Sequence, residues 1–502
     1  MNVRAALSII AVATTLGGCL PPPPAAVRPL RFLSINDVYV LDTLADGSAG
    51  LARVATVRNR IAAEGPVLLV LAGDLLSPSL LSKYYQGRQM VETLNAAKLD
   101  YATFGNHEFE LPRDTLVARV AESHFKWISA NCRDAAGTPF PGVSPWDTLR
   151  MQGTLVGVFG LTIQEDYRPY VRCTDPDSAA HAAIDTLKAL GAKFIVALTH
   201  QSLAADQALL RREPSLDLVL GGHEHERHDL LVDGRHVLKA DANSRSAQFM
   251  TVWGAPGAWR QASSLIEMNG RIPLDTAVQA VVRAWQDSLR VKLGPETTIG
   301  TAVAPIDARD GVSRSGESPI GNLVTDAMRW GTKADVALLN AGTLRLDDVI
   351  PAGPVTSYTT ESLFLFADDA RTVTFPLTGA RLRALLEHGV ESSGSGAFLQ
   401  VSGVHFTYDP AAGWQRHPAR RDAHHRVRRV PRLRGGGWLP RPRGRDGVPH
   451  LGTGAPWGRP AATLCRGGAG RENPGAGERQ NHPGWFLKNT IPGGQIARPG
   501  KG

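Results

Sequence analysis

Five short apolar runs in the first half of the chain each stop at a side chain able to bind a metal ion. "LRFLSIND" ends at Asp37 and "VLLVLAGD" at Asp74, while "YATFGNHE" reaches Asn106 and His107. "FIVALTH" ends at His200, and "LDLVLGGHEH" brings His223 and His225. The runs are short and rich in Leu, Val and Ile, the composition of strands buried on both faces. Helix-like stretches such as "LSKYYQGRQMVETLNAAK" and "AAHAAIDTLKALG" fall between several of them. That alternation predicts a layered α/β domain.

Ligands of α/β sheets gather outside the carboxyl ends of the strands. A single polar residue after a strand merely begins a loop. Five termini that are all Asp, Asn or His predict one rim, at one edge of a sheet, where the donors meet. The set contains carboxylate, amide and imidazole donors and no thiolate, which suits Mn, Zn, Co, Mg or Fe better than a structural zinc site. There are too many donors for one tetrahedral ion, and an Asp can bridge two. Two ions about 3.5–4 Å apart activate water and neutralise a phosphoryl group. His124, His228 and His236 fit none of these runs and read as surface or packing residues.

With those residues in hand, the chain resembles the calcineurin-like metallophosphoesterases, and within them the bacterial 5′-nucleotidase family. The matching motifs, in the family's order, are "IND" at 35–37, "GDLLSPS" at 73–79, "GNHEFE" at 105–110, "LTH" at 198–200 and "GGHEHE" at 221–226. The resemblance implies an α/β/β/α sandwich over residues 30–270, a connecting helix over 271–295 and a second α/β substrate-specificity domain over 296–410 that is incomplete, cut short at 410. It implies two divalent metal ions, with Asp74 as the bridging carboxylate. Asp37 and His225 would hold the first ion; Asn106, His200 and His223 would hold the second. His107 would sit over the attacked phosphate, oriented by Glu110, which stands where the family usually has Asp. The implied nucleophile is a hydroxide held by the metals, and the implied substrates are nucleoside 5′-monophosphates, with 2′,3′-cyclic nucleotides or UDP-sugars as further candidates. One position departs from the family pattern: Tyr39 stands where the family usually has His. It binds the first ion as phenolate, leaves that corner to water, or packs. Water or packing is the preferred reading, because phenolate needs a strongly acidic ion to displace its proton.

In the second domain, "NAGTLR" at 340–345 stands where the family often has Asn-Gly-Gly-Gly-Ile-Arg. The resemblance therefore turns Asn340 and Arg345 toward the substrate, with Phe366 as one of two rings that sandwich the base and Arg314 as a further contact. Two rival readings stand beside the nucleotidase. One is a thiosulfohydrolase-like member of the same superfamily, and the other is an inactive nucleotide-binding lipoprotein.

The ends of the chain differ from its body. "MNVRAALSIIAVATTLGGC" has an early arginine, an apolar stretch too short to span a bilayer, and small residues before Cys19. It looks like a bacterial lipoprotein signal over residues 1–18, with Cys19 acylated and a Pro-rich spacer over 19–29 holding the protein off the membrane. The expected location is the cell envelope on the periplasmic side, most naturally at the outer membrane. In that oxidising compartment Cys132 and Cys173 either pair or remain separate. Residues 411–502 carry sixteen Arg and two Lys against four Asp or Glu, a net +14, so the remainder carries 8 − 14 = −6. The basic balance thus belongs to the tail, and no specific nucleic-acid partner is expected of the body, which reads as a monomer. The tail is dominated by Arg, Gly and Pro and is expected to be disordered. Its abrupt onset inside a domain reads as a shifted reading frame near residue 411; an evolved basic tail is the alternative.

Overall fold

The computed structural model describes residues 29–165, 167–365, 371–406, 408 and 461–465. The proposed signal, Cys19, Phe366 and most of the tail lie outside the described residues.

Two sheets stack face to face. The larger runs in the order Arg260–Glu267, Ser246–Trp253, Leu30–Ile35, Leu68–Ala72, Tyr101–Thr103, Lys126–Ile128, Val143–Ser144. It is parallel from Leu30–Ile35 onward and closed by an antiparallel hairpin on its other side. The smaller runs His228–Val232, Arg235–Lys239, Leu218–Gly222, Phe194–His200, Thr154–Thr162, Trp146–Met151, with its middle four strands parallel.

Period-two alternation assigns each face. Leu30, Phe32, Leu68 and Val70 enter the layer between the sheets, where they meet Phe194, Val196, Leu198, Leu218 and Leu220. Leu33, Ile35, Leu69 and Leu71 face the other way, onto helices Leu51–Glu64, Arg88–Ala96, Arg113–Glu122 and Thr276–Leu293. Helices Pro176–Ala189 and Leu203–Arg212 cover the outer face of the second sheet through Ile184, Leu187, Leu209 and Leu210. The result is the expected α/β/β/α sandwich.

Two expectations need correcting. The five ligand-bearing strands are not neighbours in one sheet: three belong to the larger sheet and two to the smaller, so the rim is built from two facing edges. The helical stretch from residue 81 is also two helices, Leu80–Tyr85 and Arg88–Ala96. Gln86 and Gly87 break it with φ of 52° and 83°. Gly87 lies so close to Leu76 that a Cβ would come within 3.0 Å of that side chain.

The connecting helix, Thr276–Leu293, starts at Asp275, whose carboxylate accepts from the Ala277 and Val278 amides. It is no free linker, because Val278 and Val282 are buried in the first sandwich core. Beyond it, Val336–Asn340 pairs antiparallel with Leu399–Ser402 and is covered by helix Pro319–Thr332 through Ile320 and Val324. Among the described residues of the tail there is one strand. Ala461–Cys465, a run free of Arg, Gly and Pro, pairs parallel with Val336–Asn340 and antiparallel with Thr372–Pro376.

Cys132 and Cys173 are bonded across the antiparallel pair Cys132–Asp134 and Val171–Cys173. Closing a loop of 41 residues removes enough chain entropy from the unfolded state to stabilise the fold by about 4 kcal/mol. A Cys132→Ala/Cys173→Ala variant is therefore expected to unfold at lower urea, losing about 2–4 kcal/mol, with native secondary structure intact. Equal urea midpoints for variant and parent would contradict this.

Candidate metal centre

The rim forms because the strand ends approach more closely than side chains normally permit. A Cβ on Gly105 would overlap the Asp74 carboxylate, and one on Gly222 would come 2.8 Å from Asp37 Oδ2. Only glycine allows both approaches. The chain then turns sharply at the donors themselves. Asp37, Asp74, His223 and His225 have φ of 50°, 58°, 96° and 64°, a left-handed backbone that costs a non-glycine residue about 1–2 kcal/mol. Such strain, concentrated at four residues of one cluster, marks a functional site.

Each buried carboxylate ties down one oxygen and aims the other at the centre. Asp37 Oδ2 accepts from Asn36 Nδ2 and the His223 amide at 2.7 and 2.9 Å. Asp74 Oδ1 accepts from the His107 amide at 2.9 Å. The free oxygens face the imidazoles: Asp74 Oδ2 lies 3.2 Å from His200 Nε2, and Asp37 Oδ1 lies 3.4 Å from His225 Nε2. His200 spends Nδ1 on the Ala72 carbonyl at 2.8 Å, which leaves Nε2 for the centre, 3.1 Å from Asn106 Oδ1. The His223 ring stands edge-on to His200, with centroids 5.2 Å apart. All six sequence-expected metal ligands are thus brought to one rim, with Asp74 between the two groups.

Two donors each about 2.1 Å from one ion stand about 3.0 Å apart at a right angle and about 3.4 Å apart at the tetrahedral angle. The distances from His200 Nε2 to Asp74 Oδ2 and to Asn106 Oδ1 fall in that range, so these donors fit a cation. Charge points the same way. Burial would raise Asp37, but the charge of His200 and the bond from His225 outweigh it and hold it at about 2. Asp74 is likewise driven down, by His200 and His107 against burial. Burial would lower His200, yet Asp74 and Asp37 push it up to about 10. Burial and the nearby His200 charge bring His223 down to about 4, so it is neutral and one of its ring nitrogens has a lone pair to offer a cation.

His107 lies beside this cluster. Its Nδ1 donates to Glu110 Oε1 at 2.7 Å, and its Nε2 is 3.8 Å from Asp74 Oδ2. Glu110 is fixed from the other side by the Ser77 hydroxyl at 2.8 Å. The second domain closes over both: Arg345 Nη2 is 3.3 Å from Glu110 Oε1 and from His107 Nδ1. Arg314 ion-pairs with Asp310, whose carboxylate lies 3.7 Å from His225 Nδ1. Asn340 remains inside its own domain, its side-chain oxygen accepting from Thr343 at 2.8 Å.

Several residues at the site have roles that the motifs do not assign. Glu108 accepts from the amides of Gly105, Asp74, Leu75 and Leu76 at 2.5–2.9 Å and so locks two ligand loops together. Buried Lys239 donates to the carbonyls of Gln201 and Gly222 at 2.6 and 2.7 Å, joining the residue after His200 to the residue before His223. Asp347 accepts from His225 Nδ1 at 3.1 Å across the domain boundary. Tyr39 stands at the rim: its hydroxyl lies 2.9 Å from Asp74 Oδ2 and 3.0 Å from His225 Nε2.

Comparison with known proteins agrees with this geometry. Residues 30–227 match the calcineurin-like phosphoesterase family, and residues 298–433 match the 5′-nucleotidase C-terminal domain, 23 residues past the break in texture at Pro410. The 5′-nucleotidase of Bos taurus is 28% identical over 472 residues, covering 82% of this chain and 80% of that protein. The crystal structure of a 5′-nucleotidase precursor from Thermus thermophilus superposes with a TM-score of 0.69 at 25% identity, covering 76% of this chain and 83% of that one. The sulfate thiohydrolase SoxB of a Thermus species shares the fold, with a TM-score of 0.63 at 16% identity over 76% of this chain and 84% of its own. The chain belongs to the calcineurin-like phosphoesterases that carry a 5′-nucleotidase C-terminal domain, and is a metal-dependent phosphoester hydrolase.

Proposed function

We propose that this protein removes phosphate from nucleoside 5′-monophosphates with a pair of divalent metal ions, and that it works outside the cytoplasm, anchored through lipidated Cys19. The observation that carries the catalytic part is Asp74. One buried carboxylate oxygen faces His200 on one side and the His225–Tyr39 group on the other, as a bridge between two ions requires. Bound there, the cations would polarise the phosphoryl oxygens and make a water nucleophilic at neutral pH.

The protein's own groups supply the rest. Glu110 fixes the His107 ring by its Nδ1, so Nε2 points past Asp74 into the cleft. From there it can stabilise charge on a phosphoryl oxygen and pass a proton to the leaving ribose oxygen. Arg345 offers a planar fork for phosphate oxygens. In the arrangement seen, Arg345 is paired with Glu110, and Asp347 with His225. These pairs close the cleft over the rim, so a nucleotide reaches it only when the second domain swings away and Arg345 exchanges Glu110 for substrate.

Phosphate release from AMP in the presence of Mn is the direct test. The His107→Ala variant is expected to lose about 10²–10⁴-fold in kcat with metal content unchanged, and equal turnover would remove His107 from the chemistry. A parent protein that binds metal but releases no phosphate from AMP, cyclic nucleotides or UDP-sugars would remove the nucleotidase reading.

Metal affinity carries a pH signature. His200 without a cation is protonated up to about pH 10, so a cation must displace that proton at any lower pH. Apparent affinity should rise about tenfold per pH unit for each proton displaced, between about pH 6 and 9. Calorimetry in two buffers of different ionisation heat should show release of at least one proton. Affinity that does not vary over that range would contradict the assignment of His200.

A further inference from the structure

Among the described residues Lys239 is the one lysine that the fold buries, at 1% exposure. An ammonium group removed from water is costly unless it is paired and hydrogen-bonded. Its three protons meet the Gln201 carbonyl at 2.6 Å, the Gly222 carbonyl at 2.7 Å and Glu224 Oε2 at 2.5 Å. Asp206 Oδ2 lies 2.9 Å away. Lys239 hydrogen-bonds to none of the six rim donors, so whatever it does for the site it does through their neighbours.

The two carbonyls stand where the ladder between Phe194–His200 and Leu218–Gly222 stops. His200 pairs with Gly222 in the last register, and Gln201 is the next residue. Past that point the two strands share no ladder bond, while His200 and His223 must both reach one ion. Lys239 bridges the gap. Glu224 sits between His223 and His225, whose φ of 96° and 64° are left-handed, and its carboxylate is spent on the same clamp. Oε1 accepts from the Leu203 amide and Oε2 from Lys239. Leu203 opens the helix that carries Asp206, and Asp206 Oδ1 accepts from Gln201 Nε2 at 3.0 Å. The segment after His200 and the turn after Gly222 thus converge on a single ammonium. Gly221 makes the room: a Cβ there would lie 2.9 Å from Lys239 Cε, Asp206 Oδ2 and Thr199 Oγ1 alike.

We propose that Lys239 is a positioning residue for the second metal ion. By clamping the chain after His200 to the chain before His223, it holds both imidazoles at ligand separation and sets that ion's affinity without touching it. The proposal rests on the two-metal reading above. The first ion has other anchors: Asp37 and Asp74 come from the ends of strands in the larger sheet, each with one oxygen already tied, and His225 has its Nδ1 on Asp347. Loss of the clamp therefore separates the two ions, weakening one and sparing the other.

The test titrates metal-free, full-length protein with manganese(II) alone and reads each binding step by calorimetry. The parent is expected to take two ions per chain, and Asn106→Ala, which removes a ligand, marks the step that belongs to the second. Lys239→Met should weaken that same step by about 10–100-fold and leave the other within about threefold. Because this change strips two carboxylates of their cation, a Lys239→Met/Asp206→Asn/Glu224→Gln variant removes the charges together, and it should show the same split. An unchanged second step in the triple variant, or equal weakening of both steps as a purely structural lysine would give, would overturn the positioning role and leave the two-metal reading standing. A parent that binds fewer than two ions would overturn both.

Discussion

Two carboxylates, Asp37 and Asp74, are sealed at the meeting edge of two sheets, and the rest of the site is a response to that burial. Ionised groups removed from water are costly unless paired and hydrogen-bonded. Here each gives one oxygen to protein donors and turns the other toward a crowd of imidazoles and a phenol. The glycines that let the strand ends close, the left-handed turns and the cross-links through Glu108 and Lys239 all hold that crowd in place. Without a cation, His200 supplies the balancing charge. With cations bound as proposed, the same donors would become ligands, and coordination would help hold the turns.

The second domain completes the site from a distance in sequence. Asp347 reaches His225 across 122 positions, and Arg345 reaches His107 and Glu110 across more than 230. A group proposed to bind metal and a group proposed to act on phosphate are therefore both touched by one short segment after strand Val336–Asn340. If the domains open and close as proposed, the surroundings of metal and histidine would change together, and substrate admission would be coupled to preparation of the rim.

Much of this was legible in the sequence because strand ends carry local signals. Apolar runs of strand length ending in Asp, Asn or His located all six rim donors, and GNHE and GHEH fixed their order. What strands cannot reveal is which sheet they join, so a single edge was expected where two sheets meet. The break at Gln86–Gly87 was missed because it answers to a tertiary contact with Leu76 rather than to helical periodicity. Asp310 and Asp347 had no local mark at all: each is an ordinary acidic residue until the fold sets it against His225. Glu108 was in view inside GNHE, but its task of gathering four amides appears only when the Asp74 loop folds over it. Tyr39 read as an exception to the motif; its neighbours make it part of the rim.

The most direct test is the metal–metal distance in the loaded protein, measured by X-ray absorption or by anomalous diffraction. The account predicts two ions about 3.5–4 Å apart, both contacting the Asp74 carboxylate. A single ion, or two with no shared Asp74 oxygen, would contradict it.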